Sequence, residues 1–364
     1  MIAFILKQCR RISRDEGIVC MLDRLRYSHV IVCPMCRFFN KGVILLGVVT
    51  GLLVATVSSA ETLPAELRVD YTPYNPLSLV LKKFHWLEDE FSADHVRIRR
   101  VFCLGSDVAL DRLQSDDLDV ASSASLASLL RRANGERIKA VYVFTRAEWV
   151  SIVIPRESPI DSVRELKGRR IAAAPGTDPY FFLLRSLREA GLHKEDVVIV
   201  PMSHTEGRAA VERNDVDAWA AGSPHCAMSQ MEAGTRVLYR NRLFNSYGFL
   251  NVSEDFALKY PQAVSRVIKV YEKARKWVLS HPDDLETIFS DEQHVPLPIS
   301  RVLMSRNDFT APVIERNDLR VLKAAYSVLK EERLVPQEVD GDNVVTDLTD
   351  RSFIAKEIIP ESTR

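Results

Sequence analysis

Three short runs stand where an alternating apolar pattern gives way to a helical one, and each is built of glycine, hydroxylated or other small residues. They are Gly105-Ser106, Ser122-Ser123-Ala124-Ser125 and Gly176-Thr177-Asp178-Pro179. The first N–H groups of a helix have no intrahelical acceptor, and its start carries roughly half a positive charge. Such an end suits an oxyanion. In the third run Gly176 permits close backbone approach, Thr177 or Asp178 can cap, and Pro179 suits the first helical position. Any one junction reads more readily as the cap of an ordinary helix; three of them facing one cleft argue for an anion site. The loop Tyr71-Thr72-Pro73-Tyr74-Asn75-Pro76 adds Tyr74 for stacking and Asn75 for amide hydrogen bonds, with a turn chosen for geometry alone as the plainer alternative.

Nucleophilic and metal chemistry find little support. His225 and Cys226 are adjacent in the chain, so their side chains do not face each other, and no third orienting group can be named. His85, His193 and His204 lack metal-ligand spacing. Cys33-Pro34-Met35-Cys36 has redox or zinc spacing but neither a second pair nor a strand-helix context. No catalytic residue, metal ligand or cofactor is therefore assigned. Arg146 is the best candidate for an added positive charge.

The elements that would position these residues alternate. Strand patterns at 67–71, 96–102, 118–123, 138–144 and 149–155 interleave with helical patterns at 76–91, 107–115 and 125–133. A second set has a helix at 163–168 ended by glycine, strands at 169–174, 197–201, 217–221 and 236–239, and helices at 179–191 and 204–213. Beyond the extended segment 246–253 the pattern is almost wholly helical, over 254–280, 283–290, 299–306 and 319–333. Alternation of this kind predicts an α/β fold with mostly parallel sheet. An inserted α/β lobe between two hinge strands, with C-terminal helices returning to the first lobe, predicts a two-lobed clamshell whose cleft is the natural place for a small ligand.

The chain has 364 residues, 46% apolar and 27% charged, with 49 basic and 49 acidic side chains. That balance, without a long basic block, argues against a partner bound through nucleic-acid phosphates. Residues 42–60 carry no charge, follow Arg37 and Lys41, and end in Ser58-Ser59-Ala60, the pattern of a secretory signal peptide cleaved after Ala60. A retained membrane anchor is the rival reading, because 19 uncharged residues approach the length a bilayer requires. Met35 offers a conventional start, which would make residues 1–34 a start-site artefact. Past Ala60 the chain holds 41 basic and 46 acidic groups, and two cysteines, Cys103 and Cys226, which could pair in an oxidising compartment.

The phrases SIVIPRESPIDSVRELKGRRIAAAPGTDPYFFLLRSLREAGL (151–192) and AAVERNDVDAWAAGSPH (209–225) give the chain a resemblance to the periplasmic substrate-binding proteins of ABC importers for aliphatic sulfonates, taurine, nitrate and related compounds. The resemblance spreads over most of 67–340. It implies a periplasmic-binding-protein-like (type II) clamshell, with lobe 1 formed by 61–153 and 250–364 and lobe 2 by 154–249. It further implies Gly176 and Thr177 as ligand contacts and Trp219 as a cleft wall. Gly222-Ser223-Pro224 departs from the acidic-proline or aromatic pair usual at that place. The expected protein is a monomer, exported to the periplasm, that holds a small anion such as an alkanesulfonate against Tyr74, Asn75, Gly105, Ser106, Ser122, Ser123, Gly176, Thr177 and Trp219 and delivers it to an inner-membrane permease without transforming it. An enzyme of pyrimidine-precursor synthesis on the same fold, and a membrane-tethered sensor, are the alternatives.

Overall fold

The computed structural model describes residues 63–358. The expected signal peptide, its cleavage site, the Met35 start and the Cys33–Cys36 pair lie outside the described residues. Strand β1 (Glu66–Tyr71) leads into α1 (Pro76–Phe84) and α2 (Trp86–Phe91); β2 (Arg97–Phe102) precedes α3 (Ser106–Gln114), and β3 (Ala121–Ala124) precedes α4 (Ser125–Ala133) and β4 (Ile138–Thr145). The chain then crosses to β5 (Val150–Ile154), followed by β6 (Arg170–Ala173), α5 (Asp178–Glu189), β7 (Val198–Pro201), α6 (His204–Glu212), β8 (Ala218–Gly222), α7 (His225–Glu232) and β9 (Arg236–Tyr239). It returns through β10 (Gly248–Ser253) and continues into α8 (Glu254–Lys259), α9 (Pro261–Ser280), α10 (Pro282–Gln293), α11 (Leu297–Met304), α12 (Arg316–Glu331), α13 (Gly341–Leu348) and α14 (Ser352–Ile358).

Local chemistry explains most boundaries. Helix α4 places Leu126, Leu129 and Ala133 on its buried face at the spacing of a 3.6-residue period. A reciprocal cap between Ser203 and Glu206 starts α6, and one between Glu315 and Asp318 starts α12. The single helix expected over 76–91 is broken in two because His85 adopts a left-handed conformation (φ 55°). The helix expected over 254–280 divides at Tyr260, where Pro261 removes an N–H donor and begins α9. The turn at 163–168 is a 3-10 turn, Val163–Leu166, rather than an α-helix.

The sheets differ from the expected parallel arrangement in one instructive way. The second sheet has the order β7-β6-β8-β5-β9, with β6 parallel to β7 and β8 but β5 antiparallel to both β8 and β9. In the first, β10 runs antiparallel between β3 and β4, while β1 and β2 pair in parallel. A parallel bridge from Val69 to Val120, with the Val120 N–H donating to the Arg68 carbonyl at 3.1 Å, joins the two groups into the order β2-β1-β3-β10-β4. Each sheet thus receives one antiparallel strand immediately after the chain crosses from the other. Both extended apolar segments singled out in the sequence are these strands.

Three buried clusters follow. One packs β1, β4 and β10 against α1, α9 and α10, with Tyr142, Tyr271 and Leu250 fully buried. A second runs through both sheets, joining Val143 and Phe249 to Ile152, Ile171 and Phe182, and includes Leu322 and Leu329 of α12. The third closes the outer face of the second sheet with Trp219, Val211 and Val216. Helix α12 is therefore not confined to the first sheet. Its start is held by Arg146 to Asp318 at 2.6 Å and its end by Lys194 to Glu332 at 2.7 Å. Cys103 and Cys226 are buried in different clusters and, among the described residues, unpaired, so the pairing considered from the sequence is not formed.

Gly248 opens β10 directly beneath Phe144. A Cβ there would lie 2.2 Å from the Phe144 ring, a distance that forces the ring to move. Gly248→Ala is expected to lower the unfolding free energy by about 1–3 kcal/mol, the usual cost of overpacking. Denaturant titration at constant m-value checks it.

Candidate functional site

The strand directions decide where the site lies. Since β10 is antiparallel to β3 and β4, and β5 to β8 and β9, the C-terminal ends of β3, β4, β8 and β9 all face the crossings at 146–149 and 240–247. Six strand-to-helix junctions gather there, three from each sheet. They are β1 to α1, β2 to α3, β3 to α4, β6 to α5, β7 to α6 and β8 to α7. Between them is a cavity of about 540 Å3. This is the edge where ligands bind in open α/β sheets.

Side-chain caps satisfy two of these six helix starts, Asn75 for α1 and Ser203 for α6. Gly105, Ala124, Thr177 and Pro224, at the starts of α3, α4, α5 and α7, make no side-chain cap. Four starts around one cavity thus lack a side-chain cap and contribute partial positive charge there, although the first N–H of α4, at Ser125, is spent on the Tyr247 carbonyl at 2.7 Å.

Of the residues expected to touch ligand, Tyr74, Gly105, Ser106, Ser122, Ser123, Gly176 and Thr177 line this cavity. Two do not. Asn75 is fully buried, its side-chain carbonyl accepting from the Ser78 N–H at 3.3 Å and its amide donating to the Ser122 hydroxyl at 2.9 Å. Trp219 is 1% exposed, lying on the far side of the second sheet with its ring over Gly207. The alternation along β8 that carries Ala218 and Ala220 into the shared core turns Trp219 the other way.

The lining hydroxyls are not equivalent. Ser122 donates to the buried Asp70 carboxylate at 2.9 Å, and Ser123 shares a 2.6 Å hydrogen bond with Ser128, whose neighbour Asn251 holds β3 from β10. Thr177 donates to the Ala174 carbonyl at 2.7 Å. Ser106 alone of the four only accepts, from the Ala124 N–H at 2.9 Å, and among the described residues no acceptor takes its proton. Burial pushes the Asp70 carboxyl up to about 7, against the hydrogen bonds from Ser122.

Positive charge enters from an unexpected place. Arg146 is consumed by Asp318 and by the carbonyls of Ala311 and Val313, so it does not serve the cavity. Arg306, after α11, does line it. Its guanidinium donates to Gln230 at 2.8 Å and approaches the Ser223 hydroxyl at 3.5 Å, both neutral groups across the cleft. The other lining arginine, Arg131, is spent on Asp111 and on Glu136 at 2.8 Å. Two further lining groups have buried nitrogens that find no hydrogen-bond partner among the described residues, the Trp149 indole and His204 Nδ1. His204 stands 6.4 Å from His225, centroid to centroid. The junction rule that found three helix starts would also have found His204 and His225; nothing in the sequence marks Trp149 or Arg306. Among the described residues no group of three or more His, Cys, Asp or Glu is placed to hold a metal ion.

This arrangement defines a two-sheet binding-protein fold around a cavity lined by Arg306 and four helix starts without a side-chain cap, with Asp107 and Asp178 also on its wall. A family model described as NMT1/THI5-like matches residues 104–285, and the chain belongs to that family. Curated relatives named putative aliphatic sulfonates-binding proteins are 24% identical over 89% of this chain and 98% of theirs in Bacillus subtilis, and 26% over 82% and 95% in Escherichia coli. Among solved structures, the periplasmic aliphatic sulphonate binding protein of Escherichia coli superposes with a TM-score of 0.72 at 23% identity, covering 78% of this chain and 92% of that one. The chain therefore has the periplasmic-binding-protein fold. A desulfurization enzyme shares it, with a TM-score of 0.61 at 16% identity, covering 82% of this chain and 99% of that one.

Two measurements follow from the geometry. Ser106→Ala should weaken anion binding by about 1.5–3 kcal/mol, the scale of a hydrogen bond to a charged group, whereas Thr177→Val should cost less because that hydroxyl proton is already committed. Calorimetric titration of both variants decides this. Anion affinity should also rise as pH falls from 7 to 5. The Asp178 carboxyl, pushed up to about 6 by burial and by Asp107 against a hydrogen bond from Ser246, loses its negative charge across that interval. His204 and His225, held below the usual imidazole range mainly by burial, can only gain positive charge over the same interval. Both changes favour a bound anion, and Asp178→Asn should flatten the profile.

Proposed function

We propose that this chain is an extracytoplasmic solute-binding protein that captures a small organic anion of the sulfonate class between two lobes and delivers it, unchanged, to an ABC permease in the inner membrane. Lobe 1 comprises 61–153 and 250–364, lobe 2 comprises 154–249, and export follows removal of the segment ending at Ala60. The observation that carries the reading is Arg306, a cation that among the described residues has no carboxylate partner, placed among four helix starts without a side-chain cap. A sulfonate matches that environment, since it keeps its charge at all physiological pH and accepts several N–H bonds at once. The names of the relatives point the same way. Closing the lobes removes the anion from water, and the fixed dipoles and Arg306 replace its hydration.

Ligand contacts in this reading come from Tyr74, Gly105, Ser106, Gly176 and Thr177 together with Arg306. Ser122 and Ser123 shape the wall while their hydroxyls hold β3 in place. A binding protein requires release of its solute intact. Recovery of chemically unaltered sulfonate from the complex supports the proposal, and a transformed product supports the enzyme alternative.

Affinity for alkanesulfonates should fall at least about tenfold in Arg306→Gln, with partial recovery in Arg306→Lys, since a desolvated charge-assisted contact contributes on the order of 1.5–3 kcal/mol. A titration panel of alkanesulfonates, taurine, nitrate, bicarbonate and pyrimidine precursors, repeated on the variants, tests both the class and the residue.

A further inference from the structure

A second cavity lies beside the first, and the fold leaves a cation on its wall without a partner. Its volume of about 20 Å3 exceeds the roughly 10–15 Å3 that one water-sized particle needs and is too small for a sulfonate. Asp178 and Arg185 of α5 line it together with Ser125, which opens α4, Phe244 of the second crossing, and Leu322 and Ala325 of α12. Asp178 and Phe181 line the larger cavity as well, so the two spaces adjoin.

Arg185 is half-buried, and its guanidinium makes neither a hydrogen bond nor an ion pair among the described residues. Its Cζ stands 4.3 Å from the centre of the Phe244 ring. Glu189, one turn along α5 and the natural partner at that spacing, accepts instead from the Tyr239 hydroxyl. Asp178 lies seven residues back, about 10 Å along the helix axis, and takes a hydrogen bond from Ser246. Burial pushes the guanidinium down to about 10, so it keeps its charge at neutral pH. The Ser125 hydroxyl oxygen accepts from the Tyr247 N–H at 3.0 Å, and among the described residues no acceptor takes its proton. The cavity thus sets unspent donors, one of them charged, against apolar side chains. A water there satisfies the donors but not the charge, whereas a halide accepts from several donors at once and neutralises a cation withdrawn from bulk water.

We propose that this second cavity is a halide site, with chloride as its ion, in which the Arg185 guanidinium and the Ser125 hydroxyl hold the ion and tie α5 to α4 and the second crossing. The site is separate from the solute cavity and stands whether or not the solute is a sulfonate. An ion that binds only the folded chain raises stability with its own concentration, a dependence distinct from that on ionic strength. The positive charge of Arg185 is what holds the ion, so lysine keeps part of the effect and glutamine loses it.

The test is thermal unfolding of the purified protein in sodium chloride, sodium bromide and sodium gluconate at matched ionic strength, with Arg185→Gln, Arg185→Lys and Arg306→Gln run beside it. Gluconate is too large for the small cavity, and the readout is the slope of the midpoint against ion concentration. Above half-saturation each tenfold rise in chloride should lift the midpoint by on the order of 2 °C relative to gluconate. Bromide should act likewise. Arg306→Gln should retain the lift, Arg185→Lys should keep part of it and Arg185→Gln should lose it. Crystals of the unmodified chain grown in bromide should show an anomalous peak within hydrogen-bond distance of the Arg185 guanidinium, a readout that decides the matter even where Arg185→Gln fails to fold. A lift retained in Arg185→Gln, or lost in Arg306→Gln, places the ion elsewhere and overturns the proposal. Equal slopes in chloride and gluconate, or a lift with no peak at Arg185, overturn it as well. A bromide peak without any lift marks an adventitious ion only and has the same consequence.

Discussion

The insertion of one antiparallel strand into each sheet is the constraint from which the rest of the structure follows. Strand β5 enters the second sheet directly from the first, and β10 enters the first directly from the second. Because these two strands must begin where the chain crosses, the strands parallel to one another in each sheet must end there. Every following helix then starts on that edge. Six helix starts face one space as a matter of connectivity, before any side chain is chosen.

Side chains then divide between holding this edge and leaving it open. Asp70, Ser122, Asn75 and Ser78 satisfy one another where β1, α1 and β3 meet, and Ser123, Ser128 and Asn251 do the same between β3, α4 and β10. These networks are buried and fully used, as low-dielectric polar clusters must be. Groups left over at the cavity are the Ser106 hydroxyl and the Arg306 guanidinium. The contrast between spent and unspent polar atoms distinguishes scaffold from binding surface more sharply than residue type does, since serines occur on both sides of it.

Helix α12 adds a further connection between the two sheets. It packs into the cluster that runs through both sheets and is tied at its start to the first crossing through Arg146 and Asp318, and at its end to the second lobe through Glu332. The segment after α11 is laced to the same crossing, with the Arg146 N–H donating to the Asp308 carbonyl at 2.9 Å. The two sheets are thus joined by the crossings at 146–149 and 240–247 and by α12. Arg306 lies in the turn that ends α11 and is tied to the first crossing, its carbonyl accepting from the Glu148 N–H at 2.9 Å.

Much of the architecture could be read from the sequence because its determinants are local. Periodicity placed nearly all strands and helices of both α/β sets, and Gly105, Ser106, Gly176 and Thr177 were identifiable as cavity residues because a junction needs glycine, hydroxyl and proline at fixed offsets. Tertiary structure decided the remainder. Trp219 and Asn75 have the chemistry of ligand contacts, but sheet alternation turned the first outward and a helix cap consumed the second. Arg146 and Arg306 are indistinguishable in the sequence, and only the position of Asp318 across the fold commits one to structure and frees the other for the cavity. Short-range pattern determines where a chain bends and which face is apolar; which charge stays unpaired depends on residues brought together from more than a hundred positions away, and that the folded chain alone decides.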